Sequence, residues 1–183
     1  MTSPVVIDAS AALALILSER GSKLVRGRLT SWQRSAVDVY VPAHFWLEVA
    51  NSLIRRHGQS TSVAFEAVHR LDGFGLLTAD IDRPLVLLAL DRAGQHGLSM
   101  YDAAYLALAH TLNGRLFSAD RRLLAAAGPR AIPLPAADRR LSEPAVPYGD
   151  AHDASWPLYR GASAFLAKLR AEARKPVEGT SRR

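Results

Sequence analysis

The stretch Val5-Val6-Ile7-Asp8-Ala9-Ser10 constrains the fold of this chain more than any other. Three consecutive β-branched residues predict a short strand buried on both faces, which is typical of a parallel sheet. An Ala- and Leu-rich run over residues 11–17 follows at once and predicts a buried helix. This order places Asp8 at the carboxyl end of a central strand, the edge where open α/β sheets bind ligands. The alternative is that Asp8 only caps the helix.

Strand-like and helix-like segments alternate along the first 135 residues. The strands are predicted over residues 5–7, 37–41, 75–78, 115–118 and 131–134. Helical patterns fill the intervals between them, with small or apolar residues at helical spacing. This alternation predicts an α/β fold, a three-layer α/β/α sandwich around a central, mostly parallel sheet.

The composition agrees with a globular chain. With 183 residues, of which 49% are hydrophobic and 22% charged, the chain is long enough to bury a core. The absence of cysteine excludes a disulfide scaffold and a thiolate metal site. The apolar runs are too short for a membrane span, and no basic segment precedes the first of them. We therefore expect a cytoplasmic protein with no membrane segment.

The chain changes character near residue 135. Six of the ten prolines fall within residues 129–157, which predicts a linker. An apolar stripe from Ala162 to Leu169 predicts a short amphipathic helix, and residues 178–183 predict a disordered basic end. We therefore divide the chain into a domain over residues 1–135 and a C-terminal extension over residues 136–183.

Acidic residues stand where predicted strands lead into helices. These residues are Asp8, Glu48, Asp102 and Asp120. Because the carboxyl ends of parallel strands meet at one edge of a sheet, we expect the four carboxylates to converge there. Each has a structural alternative: Asp8 and Asp120 as helix caps, Asp102 as the acid of a capping box, and Glu48 as a solvated helical side chain.

Converging carboxylates predict a metal site. They repel one another and raise one another's pKa values, and a divalent cation relieves that repulsion. Oxygen donors without cysteine or paired-histidine spacing indicate Mg²⁺ or Mn²⁺ rather than Zn²⁺. Such an ion suits phosphodiester cleavage, because it orients the phosphate, activates water and stabilises the leaving oxygen. Whether one or two ions bind stays open.

Four segments surround these acidic residues. In chain order they are residues 5–10, residues 42–51 around Glu48, residues 101–109 around Asp102, and residues 116–123 around Asp120. Together they resemble the motifs of PIN-domain ribonucleases, and most closely those of the VapC toxins of bacterial toxin–antitoxin pairs. The resemblance covers about residues 4–134, and four motifs in the right order are more specific than any one of them.

The resemblance implies a compact α/β/α sandwich and Mg²⁺-dependent endoribonuclease activity. By motif position, Asp8, Glu48, Asp102 and Asp120 form the acidic set. Asp8 and Asp102 are then the firmest metal ligands. Glu48 and Asp120 bind a second metal ion or position water.

The resemblance also implies supporting residues and partners. Ser10, Asn51 and Ser118 lie where members of the family often have a hydroxyl or an amide, and we assign them supporting roles only. The implied partners are an RNA substrate and a cognate antitoxin, and the implied assembly is a homodimer.

The C-terminal extension departs from the family, whose chains usually finish near the last strand of the sheet. Its apolar residues, including Trp156 and Phe165, need something apolar to cover. We favour an added helix packed on the domain. The alternatives are an extension of the dimer or RNA surface, and an inhibitory segment across the acidic edge.

Other protein classes fit the residues less well. A phosphatase of the haloacid dehalogenase type generally has a second acid two residues after the first, where this chain has Ser10. A receiver domain opens with adjacent acids and uses a late lysine, and this chain shows neither. The non-enzymatic alternative stays open: a PIN-like protein that binds RNA or a partner without turnover.

Overall fold

In the part of the chain that the structure describes, five short strands form one sheet. The computed structural model describes residues 3–19 and 21–134. The strands are β1 (Val5–Ile7), β2 (Val39–Pro42), β3 (Leu77–Ala79), β4 (Arg115–Ser118) and β5 (Ala131–Pro133). Every pairing between neighbouring strands is parallel, and the spatial order is β3-β2-β1-β4-β5.

Within the described residues, seven α-helices connect and cover the strands. They are α1 (Ala9–Ile16), α2 (Ser22–Arg34), α3 (Phe45–Arg55), α4 (Thr61–Asp72), α5 (Arg83–His96), α6 (Met100–Thr111) and α7 (Arg121–Ala127). The helix α6 packs against β1, β2 and β4 and buries seven consecutive residues, 103–109. The arrangement confirms the predicted α/β/α sandwich, and the sheet is parallel throughout.

The central strands are buried because they are covered on both faces. All three residues of β1 are buried, as are the last three of β4. The ring of Trp32 on α2 packs edge-on against Phe117 of β4, with 5.4 Å between ring centroids. This double coverage explains why β1 is a continuous apolar run rather than an alternating one.

Two predicted strand boundaries shift by two residues. The ladder of β2 begins at Val39 rather than at residue 37, because Val39 is the first residue in register with β1, opposite Val5. The strand β3 begins at Leu77 rather than at residue 75. Gly75 has a φ of 67°, a left-handed conformation that suits a turn and not a strand.

The strand order reverses between β1 and β4. The chain leaves β1 towards β2 and β3 on one side, and then returns to β4 and β5 on the other. In parallel sheets such a switch point leaves a crevice outside the carboxyl ends of the two strands. Asp8 follows β1 and Ser118 ends β4, so both stand at this crevice.

Two further expectations concern membrane spans and the C-terminal extension. No helix in the described residues is long and apolar enough to cross a membrane. The linker, short helix and basic end predicted over residues 136–183 lie outside the described residues.

Candidate active site

Asp8 is buried at the switch point, with 5% of its surface exposed. Its Oδ1 accepts hydrogen bonds from the hydroxyl of Ser10 (2.7 Å) and from the backbone N–H of Ala11 (3.1 Å). Its Oδ2 accepts a hydrogen bond from the hydroxyl of Ser118 (2.6 Å). Asp8 therefore caps α1, as one alternative predicted, and also joins β1 to β4 through its side chain.

The two serines are themselves held in place. Ser10 Oγ accepts the backbone N–H of Ala119 (2.9 Å), and Ser118 Oγ accepts that of Asp120 (2.8 Å). Each hydroxyl therefore accepts from the turn after β4 and donates to Asp8. Because both functions of each hydroxyl are used, the carboxylate of Asp8 is held in one orientation. The roles predicted for Ser10 and Ser118 in a catalytic site stay predictions.

The environment of Asp8 disfavours its charge. Burial raises the pKa of Asp8 from 3.8 to about 6. The hydrogen bonds from Ser118, Ser10 and Ala11 lower it, and the nearby charge of Glu48 raises it further. At neutral pH the site therefore contains an incompletely compensated buried anion, which a bound cation would stabilise.

Glu48 lies in the first turn of α3, with 40% of its side chain exposed. Its Oε2 accepts a hydrogen bond of 2.8 Å from the hydroxyl of Tyr105 on α6. Burial raises the pKa of Glu48; the Tyr105 hydroxyl lowers it, the charge of Asp102 raises it and Arg56 lowers it. Glu48 is therefore in electrostatic contact with Asp102 as well as with Asp8.

Asp102 lies in the first turn of α6 and is half-exposed. Its backbone N–H donates to Ser99 Oγ (3.1 Å), and its Oδ2 accepts from the same hydroxyl (2.8 Å). Ser99 is therefore the N-cap of α6, as the capping-box pattern predicts. The carboxylate of Asp102 meets the Ser99 hydroxyl, whereas in the usual capping box the acid accepts the N–H of the cap residue.

Asp120 lies beside the switch point as the N-cap of α7. Its Oδ1 accepts the backbone N–H groups of Arg122 (2.7 Å) and Leu123 (2.9 Å). Its own N–H donates to Ser118 Oγ, which connects it to Asp8 through one hydroxyl. The cap predicted as its structural alternative is therefore present, and the residue still lies next to the buried carboxylate.

Asn51 is more distant from this network. It lies on α3 about one turn after Glu48, and its side chain is exposed. Its side chain makes no hydrogen bond to the other described residues. Its supporting role stays a prediction.

Two residues that the sequence analysis did not single out belong to the site. Tyr105 is 1% exposed, and burial, with the charge of Glu48, raises its pKa well above the usual value. Its phenol therefore stays protonated and donates to Glu48. His44 lies 3.9 Å from Glu48 Oε2 through Nε2, an atom that is buried and without a hydrogen-bond partner in the described structure. A sequence signal existed in each case: Tyr105 follows Asp102 by three helical positions, and His44 precedes Glu48 by four.

His44 is a neutral neighbour of the acids. Burial lowers its pKa, a hydrogen bond at the Tyr101 backbone raises it, and the charge of Asp102 raises it. Because the net shift is downward, the contact with Glu48 is not an ion pair at neutral pH. The imidazole packs against the rings of Tyr105 (4.9 Å between centroids) and Tyr101 (5.5 Å).

The donor set fits a hard, hydrated cation. In the described part of the chain, no three acidic or histidine side chains form a ready-made metal cage. Mg²⁺ does not require one, since it keeps several waters and binds through one or two carboxylates together with substrate phosphates. The buried Asp8 and the nearby Glu48 and Asp102 supply oxygen ligands of that type.

The chain is similar in sequence to a known protein family and to one of its characterised members. Residues 5–129 match the PIN domain family. The chain is 32% identical over 122 residues to Ribonuclease VapC3 of Pyrobaculum aerophilum, and the alignment spans 64% of this chain and 90% of that protein.

Solved structures share the fold. VapC20 of Mycobacterium tuberculosis, a toxin that cleaves the sarcin–ricin loop, aligns with a TM-score of 0.55 at 20% identity, over 67% of this chain and 94% of its own. A toxin–antitoxin complex from Klebsiella pneumoniae aligns with a TM-score of 0.52 at 16% identity, over 70% of this chain and 95% of the matched chain. At these identities the two structures show a common architecture.

Proposed function

Because this chain belongs to the PIN-domain family and to its VapC-like group, we propose that it is a metal-dependent endoribonuclease, the toxin of a toxin–antitoxin pair. The observation that supports this most directly is Asp8. It is a buried carboxylate at the topological switch point, and both of its oxygens are held by serine hydroxyls. A buried acid that is raised in pKa and has no cationic partner among the groups that shift it is typical of a catalytic or metal-binding group.

In this proposal Asp8 and Asp102 are the principal ligands of Mg²⁺, with Mn²⁺ as a substitute. Glu48 and Asp120 bind a second ion or position water. A bound ion would supply charge neutralisation, orientation of the phosphate and activation of the attacking water. The field of the acidic groups at Asp8 favours such an ion, because the charge of Glu48 raises the pKa of Asp8 and the charge of Asp102 raises the pKa of Glu48.

The chain's own residues prepare the site before substrate arrives. Ser10 and Ser118 hold the carboxylate of Asp8 in one orientation, so that little reorganisation is needed when RNA binds. Glu48 is open to solvent, and its raised pKa makes it a stronger proton acceptor for a water molecule. Hydrolysis then breaks the phosphodiester bond and consumes one water.

The proposal includes partners. We infer that the chain binds a cognate antitoxin and a second copy of itself. Because its proposed substrate is RNA, we infer that it acts in the cytoplasm. Exposed apolar side chains support a partner-binding surface; they include Leu47, Phe65, Leu87, Leu90 and Tyr101.

A second candidate function is binding of RNA or a partner without turnover. One observation favours it: the acidic and histidine side chains of the described residues do not form a group ready to hold a metal ion. The two candidates differ in one measurable property, which is hydrolysis of RNA in the presence of a divalent ion.

The decisive experiment is cleavage of a mixed RNA pool by the purified full-length chain, freed of bound partner, with Mg²⁺ or Mn²⁺. We expect cleavage that EDTA abolishes and that Asp8→Asn also abolishes. Folded protein that binds Mn²⁺ but leaves the RNA intact would favour the binding function. Cleavage that persists in EDTA would contradict the metal-dependent mechanism.

A further inference from the structure

Helix α6 presents two polar groups to the site, one turn apart. The first is the carboxylate of Asp102, and the second is the hydroxyl of Tyr105. That hydroxyl donates a 2.8 Å hydrogen bond to Glu48 Oε2, although the two residues are 57 positions apart in the sequence. The helix therefore provides one acid of its own and contacts another acid on α3.

We propose that Tyr105 is a positioning residue that fixes the side chain of Glu48, so that Oε1 stays available to the metal ion or to its water. The proposal rests on the proposed function, since it assigns a role within the same site. Tyr105 acts through Glu48 and is not itself a ligand, because its hydroxyl is engaged by Oε2.

The two partners differ in burial, and this difference indicates which residue positions the other. Tyr105 is buried, and its ring is packed edge-on against His44, with 4.9 Å between centroids. The side chain of Glu48 is 40% exposed and has several rotatable bonds. A hydrogen bond from a packed donor restricts the conformations of such an acceptor, as outer-shell hydrogen bonds do for metal-binding carboxylates.

The alternative role is purely structural, in which Glu48 only satisfies a buried phenol. The two roles predict different results for Tyr105→Phe. If the role is structural, the variant binds metal normally, because phenylalanine has the same shape and needs no partner. If the role is positioning, the affinity for the metal falls while the fold is kept.

The test measures Mn²⁺ binding to the full-length chain by calorimetry, without RNA. We expect Tyr105→Phe to bind Mn²⁺ about 10- to 100-fold more weakly than the wild type, the range for loss of an outer-shell partner. The matched control is Tyr40→Phe, which removes the hydroxyl of a half-buried tyrosine on β2. We expect this control to bind Mn²⁺ like the wild type.

A double-mutant cycle with Glu48→Ala, which removes the acceptor of the Tyr105 hydroxyl, isolates the interaction. If Tyr105 acts through Glu48, Tyr105→Phe has little further effect once Glu48 is replaced. Unchanged Mn²⁺ affinity in Tyr105→Phe, or an equal loss with and without Glu48→Ala, overturns the proposal. A wild type that binds Mn²⁺ with this coupling but cleaves no RNA contradicts only the ribonuclease function. A wild type that binds no Mn²⁺ overturns both.

A second measurement applies if Tyr105→Phe does not fold. The wild type has five tyrosines, which can be labelled as 3-fluorotyrosine and followed by ¹⁹F NMR. Replacing each of the other four by phenylalanine leaves the resonance of Tyr105 assigned. We expect Mg²⁺ to shift that resonance, and an unshifted resonance at saturating Mg²⁺ overturns the proposal.

Discussion

The acidic edge has two sides that are built differently. On the β1–β4 side, Asp8 is buried and accepts three hydrogen bonds, two of them from serines that are themselves fixed by the backbone. On the α3–α6 side, Glu48 and Asp102 are half-exposed, and each accepts a hydrogen bond from one hydroxyl. The first side is closed and fixed, and the second is open to solvent.

The difference shows how one site can combine rigidity with access. Burial holds Asp8 in place, but it also removes solvent from the carboxylate and so destabilises its charged form. The open side keeps its carboxylates within reach of solvent, so their charges are better solvated. We therefore expect changes on the closed side to alter both stability and activity, and changes on the open side to alter mainly activity.

The largest expected effect is loss of RNA cleavage in Asp8→Asn. The amide keeps the shape and the cap but removes the charge, so we expect kcat/KM to fall by about 10³-fold or more, comparable to removing a principal catalytic group. The measurement is initial rates on a fixed RNA in Mg²⁺. Asp38→Asn is the control, because Asp38 is an exposed acid just before β2, at the opposite edge of the sheet. A variant at Asp8 that retains a tenth of the activity would contradict its assigned role.

The next effect is a pH dependence of stability in the metal-free protein. The pKa of Asp8 is about 6 in the folded state and 3.8 ordinarily, so between these values the folded state binds more protons. Its contribution to stability is therefore present below pH 3.8 and is lost as pH rises towards 6, by about 2–3 kcal/mol. The measurement is urea unfolding in EDTA from pH 4.5 to 7.5.

Other carboxylates also titrate in this range, so the comparison with Asp8→Asn isolates the effect. We expect Asp8→Asn to be the more stable protein at pH 7.5 in EDTA, and the advantage to shrink towards pH 4.5. Added Mg²⁺ is expected to reduce the advantage at pH 7.5, because it binds only the ionised site. If the free energies of unfolding of the two proteins differed by the same amount at every pH, the burial of the charge would be contradicted.

The smallest effects compare one serine from each side. Ser118→Ala removes the donor to Asp8 and the acceptor for the Asp120 N–H in a fully buried position, so we expect a loss of about 2 kcal/mol in the free energy of unfolding. Ser99→Ala removes a solvent-exposed N-cap, for which about 1 kcal/mol is typical. Thermal and urea unfolding measure both. A larger loss for Ser99→Ala would reverse the ranking of the two sides.

The sequence predicted those features that depend on local pattern. The strand β4 has the predicted bounds, because its apolar run marks it directly, and Asp120 caps the helix that follows, as one of its predicted alternatives states. Parallel strand order predicted that the strand ends share one edge, and the structure places Asp8 and Ser118 side by side across the switch point. The convergence of all four carboxylates stays a prediction. The family resemblance named the same positions.

The remaining features depend on contacts between distant segments. The bond from Tyr105 to Glu48 requires the packing of α6 beside α3, which no local pattern encodes. The buried, unpartnered Nε2 of His44 likewise follows from the three-dimensional packing of its ring between two tyrosines. The extension beyond residue 134 lies outside the described structure, so its predicted helix stays a prediction.

The double use of Asp8 has a genetic consequence. Its Oδ1 begins a helix, and asparagine is as good a cap as aspartate. A single-base change to asparagine would therefore keep the helix cap, and its product would be a folded but inactive protein. Such an allele would still display the whole outer surface of the protein. In a cell with both alleles, the inactive protein would compete with the active one for every partner that recognises that surface.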